Sequence, residues 1–185
     1  SYNSGVTGVT ADNSATLRWT VSNGTCTAAT DDVVLSNNSN PTASASTSTG
    51  TVCEGTAISL TGGASGGSGG GYSYSWSGPS SYTSSSQSPT ISSSATTGMA
   101  GSYLLTVTDG NSCSSSSSST SITVDASPTV SSAGSDISQC NNASFTLAGN
   151  SPSSGTGAWS VVSGTASITS SSSNTSGVTG ITAGN

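Results

Sequence analysis

The segment SGVTGVTADN at residues 4–13 returns as SGVTGITAGN at residues 176–185, with eight of ten positions identical. The offset is 172 residues (176 − 4) at every position. A long fixed period marks an array, in which one structural unit is repeated and stacked. The expectation is one full repeat with a short overlap, a piece of a longer tandem protein or polymer.

The unit being repeated is all-β. Leu17, Trp19 and Val21 alternate with Arg18 and Thr20, and Tyr72, Tyr74 and Trp76 alternate with serines. Tyr103, Leu105 and Val107 interleave with Ser102, Leu104 and Thr106, and Ile122 with Val124 and Phe145 with Leu147 keep the habit. Period-two alternation between Gly, Ser and Asn turns reads as half-buried antiparallel strands. No stretch carries a helical period. Ser (50), Thr (29) and Gly (24) make up more than half of the 185 residues, yet only 4% of the chain is charged. Disordered chains of low hydrophobicity are usually rich in charge, so this composition does not argue for disorder.

The same numbers exclude several partners. A net charge of −6 with Arg18 as the sole basic residue lacks the basic footprint of nucleic-acid binding. It equally lacks a polybasic membrane contact. No apolar run approaches the roughly 18 residues of a spanning helix, so no membrane insertion is expected from this segment.

Two proline junctions divide the repeat. SNPT at 39–42 matches ASPT at 126–129, so Pro41 and Pro128 stand 87 residues apart, leaving 85 (172 − 87) to the next equivalent. Each interval is close to the roughly 100 residues and seven short strands of an immunoglobulin-like sandwich. The expected fold is therefore a tandem of immunoglobulin-like β-sandwich modules, one complete and one split across the repeat boundary. Residues 37–126 form the complete module, with strands at 43–49, 56–61, 72–76, 88–92, 102–108 and 119–125. Residues 127–185 supply the first strands of the split one, at 145–147, 158–162 and 167–169. Its last strands, at 16–21 and 32–35, occur only in residues 1–36, so the next repeat or subunit completes it. Trp76 occupies the position of a buried aromatic facing the later strands, AGSY at 100–103 resembles a glycine-x-tyrosine entry to the penultimate strand, and DGN at 109–111 signals a turn into the last hairpin.

Four cysteines without His and without CxxC spacing argue against zinc and for two disulfides outside the reducing cytosol. Cys53 and Cys113 share one module and are expected to bridge its early strand to its late hairpin. Cys26 and Cys140 hold equivalent positions in the split module and are expected to pair between adjacent repeats or subunits. Each bridge closes a loop of about 60 residues, worth roughly 3–4 kcal/mol on the chain-entropy account.

Two motif sets carry a family resemblance. VCEGTAISL at 52–60, YSWSGP at 74–79, GSY at 101–103 and VTDGNSC at 107–113 resemble the Ig-like and PKD-like repeats of giant cell-surface proteins of Bacteroidetes. AGSD at 133–136, Cys140, GAWS at 157–160 and LRWTVSNGTC at 17–26 resemble a second repeat type of the same proteins. The resemblance covers nearly the whole chain. It implies export to the cell surface, adhesin or gliding-motility roles, and assembly into long fibres, without catalysis.

Chemistry finds little purchase. No His or Lys is available to activate a nucleophile, and the seven acids are scattered. The chain is expected not to be an enzyme and to need no cofactor. Asp31, Asp32 and Asp136 belong to one module type and are the calcium candidates, though no loop has DxDxDG spacing. The glycine-rich stretch 62–71 precedes a tyrosine-rich strand rather than a helix, which reads as a strand-to-strand loop and not a phosphate cradle. Tyr82, in an expected loop, is the best candidate for stacking on surface glycans, while Trp19, Trp76 and Trp159 alternate like core residues.

The leading expectation is a structural protein: a repeat unit of an extracellular fibre or giant adhesin whose partners are copies of itself, head to tail. Two alternatives stand beside it. One is a non-covalent filament whose subunits donate strands to their neighbours. The other is a carbohydrate-binding accessory module of a secreted glycanase.

Overall fold

Strands form where apolar and hydroxyl side chains alternate, and in residues 41–125 they close into a two-sheet sandwich. The computed structural model describes residues 4–140 and 144–181; residues 182–185, the end of the second decapeptide, lie outside the described residues. The chain divides into two units, Ser1–Asp125 and Ala126–Asn185.

The first unit begins with a hairpin of β1 (Asn13–Val21) and β2 (Ala29–Asn37), antiparallel, with Leu17 opposite Val33 and Trp19 opposite Asp31. The sandwich follows. One sheet holds β3 (Pro41–Thr47), β5 (Ile58–Gly66) and β8 (Thr90–Ser92) in that order. The other holds β4 (Thr51–Cys53), β10 (Ser118–Asp125), β9 (Gly101–Asp109), β6 (Tyr72–Gly78) and β7 (Tyr82–Ser84). All neighbours are antiparallel except β4, which runs parallel to β10. The chain changes sheet between β5 and β6, so consecutive strands wrap the core rather than form a meander. This is an immunoglobulin-like arrangement.

The core lies between the sheets. Ile58 and Leu60 of β5 face Trp76 of β6, Tyr103, Leu105 and Val107 of β9, and Ile122 and Val124 of β10. Burying each such side chain contributes about 1.5–3 kcal/mol. The tyrosine hydroxyl, which burial would otherwise penalise, donates to the Met99 carbonyl at 2.8 Å. That bond ties the entry of β9 to the turn before it, as the GSY motif suggests. At the far end, the Asp109 carboxylate accepts the Asn111 and Cys113 N–H groups, both at 2.9 Å, and the Gly69 N–H at 3.1 Å. The DGN turn is built on this carboxylate.

Among its described residues the second unit carries three short strands: β11 (Ser144–Thr146), β12 (Ser167–Ile168) and β13 (Gly177–Thr179), ordered β11-β13-β12. The strand expected at 158–162 does not form. Val162 there is 95% exposed. Among the described residues no helix is long and apolar enough to cross a membrane.

Candidate functional site

The second unit repeats a set of the sandwich's hydrogen bonds at an offset of 87 residues. In the sandwich, the Leu60 N–H donates to Pro89 O at 2.9 Å and the Gly62 N–H to Gln87 O at 3.0 Å. In the second unit, the Leu147 N–H donates to Ser176 O at 2.8 Å and the Gly149 N–H to Asn174 O at 2.9 Å. The Gln87 amide returns a bond to Gly62 O at 3.0 Å, and the Asn174 amide returns one to Gly149 O at 3.2 Å. The tryptophans make the corresponding bond from a shorter offset of 83 residues (159 − 76), onto acceptors that keep the offset of 87 (173 − 86). The Trp76 indole N–H donates to Ser86 O and the Trp159 indole N–H to Ser173 O, both at 3.0 Å.

Glycine is required at the centre of both halves. A Cβ on Gly62 would lie 2.7 Å from Gln87 O and 3.1 Å from both Trp76 Cζ2 and Leu105 Cδ2. One on Gly149 would lie 2.9 Å from Trp159 Cζ2. In both places an indole is laid against bare backbone. What differs is the cover. Trp76, Ile58 and Leu60 are each 1% exposed beneath β9 and β10. Their counterparts Trp159, Phe145 and Leu147 are only half-buried. Beside Gly149 and Trp159 opens a cleft of about 520 Å³, reaching Pro152 and Asn174.

The hairpin has the opposite deficiency. Its strands match β9 and β10: Leu17, Trp19 and Val21 stand 86 residues before Tyr103, Leu105 and Val107, and Leu35 stands 87 before Ile122. Tyr103, Leu105 and Val107 are wholly buried, whereas Trp19 is 70% exposed and Val21 54%. The expectation that Trp19 is a core residue is therefore corrected: its face of β1 has no sheet against it among the described residues. On the other face, Arg18 Nε and Nη2 donate to the two Asp32 carboxylate oxygens at 2.7 and 2.9 Å. The guanidinium holds the Asp32 carboxyl below its usual range.

The remaining candidates fare as follows. Asp31 and Asp32 face opposite sides of β2, Asp32 is engaged by Arg18, and Asp136 is exposed in the other unit. Among the described residues no three acid, cysteine or histidine side chains converge as metal ligands would. Tyr82 is not a loop platform. It lies half-buried in β7, its ring 5.6 Å from that of Tyr103 at 74°, an edge-to-face packing. The glycine-rich stretch finishes β5 and then turns, and its Gly69 N–H serves the protein's own Asp109.

The expected Cys53–Cys113 bridge is also corrected. Both thiols are free. Cys53 is opposite Asp125, beyond the Ile122–Gly101 pair, while Cys113 is bonded to Asp109 at the other end of β9. The eight residue steps from Gly101 to Asp109 alone span roughly 26 Å at about 3.3 Å per step. A disulfide needs Cα atoms within about 7 Å. Cys26 and Cys140 are likewise free and lie in different units. They match Cys113 and Cys53 at the 87-residue offset.

Asp109 is the only buried carboxylate among the described residues. Burial, the largest single effect, pushes its carboxyl up, but backbone N–H donors from Cys113, Gly69, Asn111 and Ser68 outweigh it and hold the group below its usual range. This stabilises a turn. It does not prepare an acid or base.

No protein-family model matches the chain, and no curated protein matches it. Solved structures do. The amphioxus IgVJ-C2 molecule is 16% identical with a TM-score of 0.42, over 60% of this chain and 60% of that one. The N-terminal four Ig domains of Dscam1 isoforms 6.9 and 6.44 are each 19% identical, with TM-scores of 0.39 and 0.36. They align over 60% and 62% of this chain, which spans 27% of either Dscam1 chain. At these scores the likeness adds no argument of its own, and the immunoglobulin-like assignment rests on the strand order and core described above.

Proposed function

We propose that the chain is a structural link: a repeat unit of a long extracellular fibre or adhesin built from immunoglobulin-like modules in series. The observation that carries this reading is the 172-residue period, which holds two versions of one sandwich at a spacing of 87 residues. A fold repeated at fixed spacing supplies reach and stiffness rather than a reaction. The resemblance to giant Bacteroidetes surface proteins favours export. The surface suits that setting: Arg18 is the only basic residue and so nearly the only site for trypsin-like proteases, and hydroxyls dominate. The glycanase-accessory alternative loses its best support, since Tyr82 is packed on Tyr103.

Negative-stain microscopy of the material purified from its natural source tests the reading. Filaments with an axial period of two modules are expected. Isolated particles bearing one or two modules would overturn it. Denaturing electrophoresis after reduction then separates a single giant chain, running at hundreds of kDa, from subunits near 17.6 kDa.

A further inference from the structure

We propose that the β1–β2 hairpin of a second copy of this sequence docks in the cleft beside Gly149 and Trp159, completing the half-sandwich of residues 126–181. The inference rests on the fibre reading above and names its joint.

Four observations converge. The second unit reproduces the backbone bonds between β5 and the approach to β8 and the glycine–tryptophan stack, and among its described residues has no strands equivalent to β9 and β10. The hairpin reproduces those two strands, position for position, with an apolar face turned to solvent. Superposing the equivalences puts Trp19 where Leu105 lies, against the bare backbone of Gly149 and the indole of Trp159. The linking lengths also agree. Ile91 of β8 precedes Tyr103 by 12 residues (103 − 91). Val178 of β13 precedes the Leu17 position one period later by 11 (17 + 172 − 178).

The physics of each half favours the union. A two-stranded hairpin is marginal in water on its own. Its exposed Leu17, Trp19 and Val21 form the contiguous apolar surface that marks an interaction site. The 158–162 segment fails to form a strand because its partner, the equivalent of β9, is missing; in the complete module β6 is held by β9 along Tyr72 to Ser77. Docking supplies that partner, so 158–162 becomes a strand paired with β1 of the incoming copy. Asp31, directly opposite Trp19, is the one charged side chain on the docking face, and no charged residue lines the cleft.

The test is sedimentation of the purified 185-residue chain across a concentration series, with Trp19→Ser and Leu17→Lys variants. Both side chains sit in the exposed face, so neither change should disturb the complete module, which near-UV circular dichroism of buried Trp76 and Tyr103 checks. The parent chain is expected to form multiples of 17.6 kDa. Each variant should weaken association on the order of 30-fold or more, the loss typical of a central hot-spot residue. A parent that stays monomeric at all concentrations overturns the joint. Association that ignores both substitutions also overturns it, while leaving the fibre reading intact.

Discussion

Residues 58–92 and 145–179 share a set of backbone bonds and a glycine–tryptophan stack and end in different states. In the first, Ile58, Leu60 and Trp76 are sealed beneath β9 and β10. In the second, Phe145, Leu147 and Trp159 keep the same hydrogen-bonded frame, yet remain half-open because nothing equivalent to β9 and β10 covers them. The comparison shows what each layer contributes. Local bonds between β5-like and β8-like segments, together with the glycine–tryptophan stack, define the frame. The second sheet supplies the burial, and with it most of the stability.

The largest contrast should come from the two tryptophans. Trp76→Ala should destabilise the complete module by about 3–5 kcal/mol. Trp159→Ala should cost about half that in the monomeric chain, because the indole is only half-buried. Urea unfolding followed by fluorescence reads both; equal losses would erase the distinction between sealed and open halves.

The two glycines sharpen it further. A methyl on Gly62 meets Gln87 O at 2.7 Å, backbone that cannot yield, so Gly62→Ala should cost about 1–3 kcal/mol. At Gly149 the nearest atom belongs to the half-exposed Trp159 ring, which can move aside, and the cost should fall below about 1 kcal/mol. Thermal melts of the two variants compare them directly.

Smaller still is the Tyr103 hydroxyl. Tyr103→Phe removes the bond to Met99 O and should cost about 0.5–1.5 kcal/mol. The hairpin has Leu17 at that position, so a completed second sandwich would lack this tie.

The subtlest difference is in acid. Because the folded-state carboxyl of Asp109 sits below its usual range, its contribution is fully present above the unfolded value and is lost as pH falls through the folded one. Asp109→Asn should flatten that part of the stability profile for the module, leaving the second unit, which has no such turn carboxylate among its described residues, unaffected. Melts at pH 7 and at pH 3 provide the check.

Much of this was legible from the residues. Tyr72 to Trp76 and Tyr103 to Val107 were readable as strands because each is buried on one face, which imprints a period of two. The β4 and β7 strands were not, since three residues are too few to show a period and Tyr82 is spent on an edge contact with Tyr103. Residues 158–162 have strand-like sequence and no strand, because a sheet needs a neighbour that residues 126–181 do not supply. Alternation also misplaced Trp19: the pattern says that one face wants cover, not what provides it. The Cys53–Cys113 pairing failed for a related reason, since spacing in sequence does not say which end of a sandwich a residue occupies.

The most direct measurement is the density of the assembled chain at side-chain resolution. The account predicts the Trp19 indole of one copy within about 4.5 Å of Gly149 and Trp159 of another, with 158–162 paired to β1. A resolved assembly in which Trp19 faces solvent, or packs elsewhere while the cleft stays open, would contradict it.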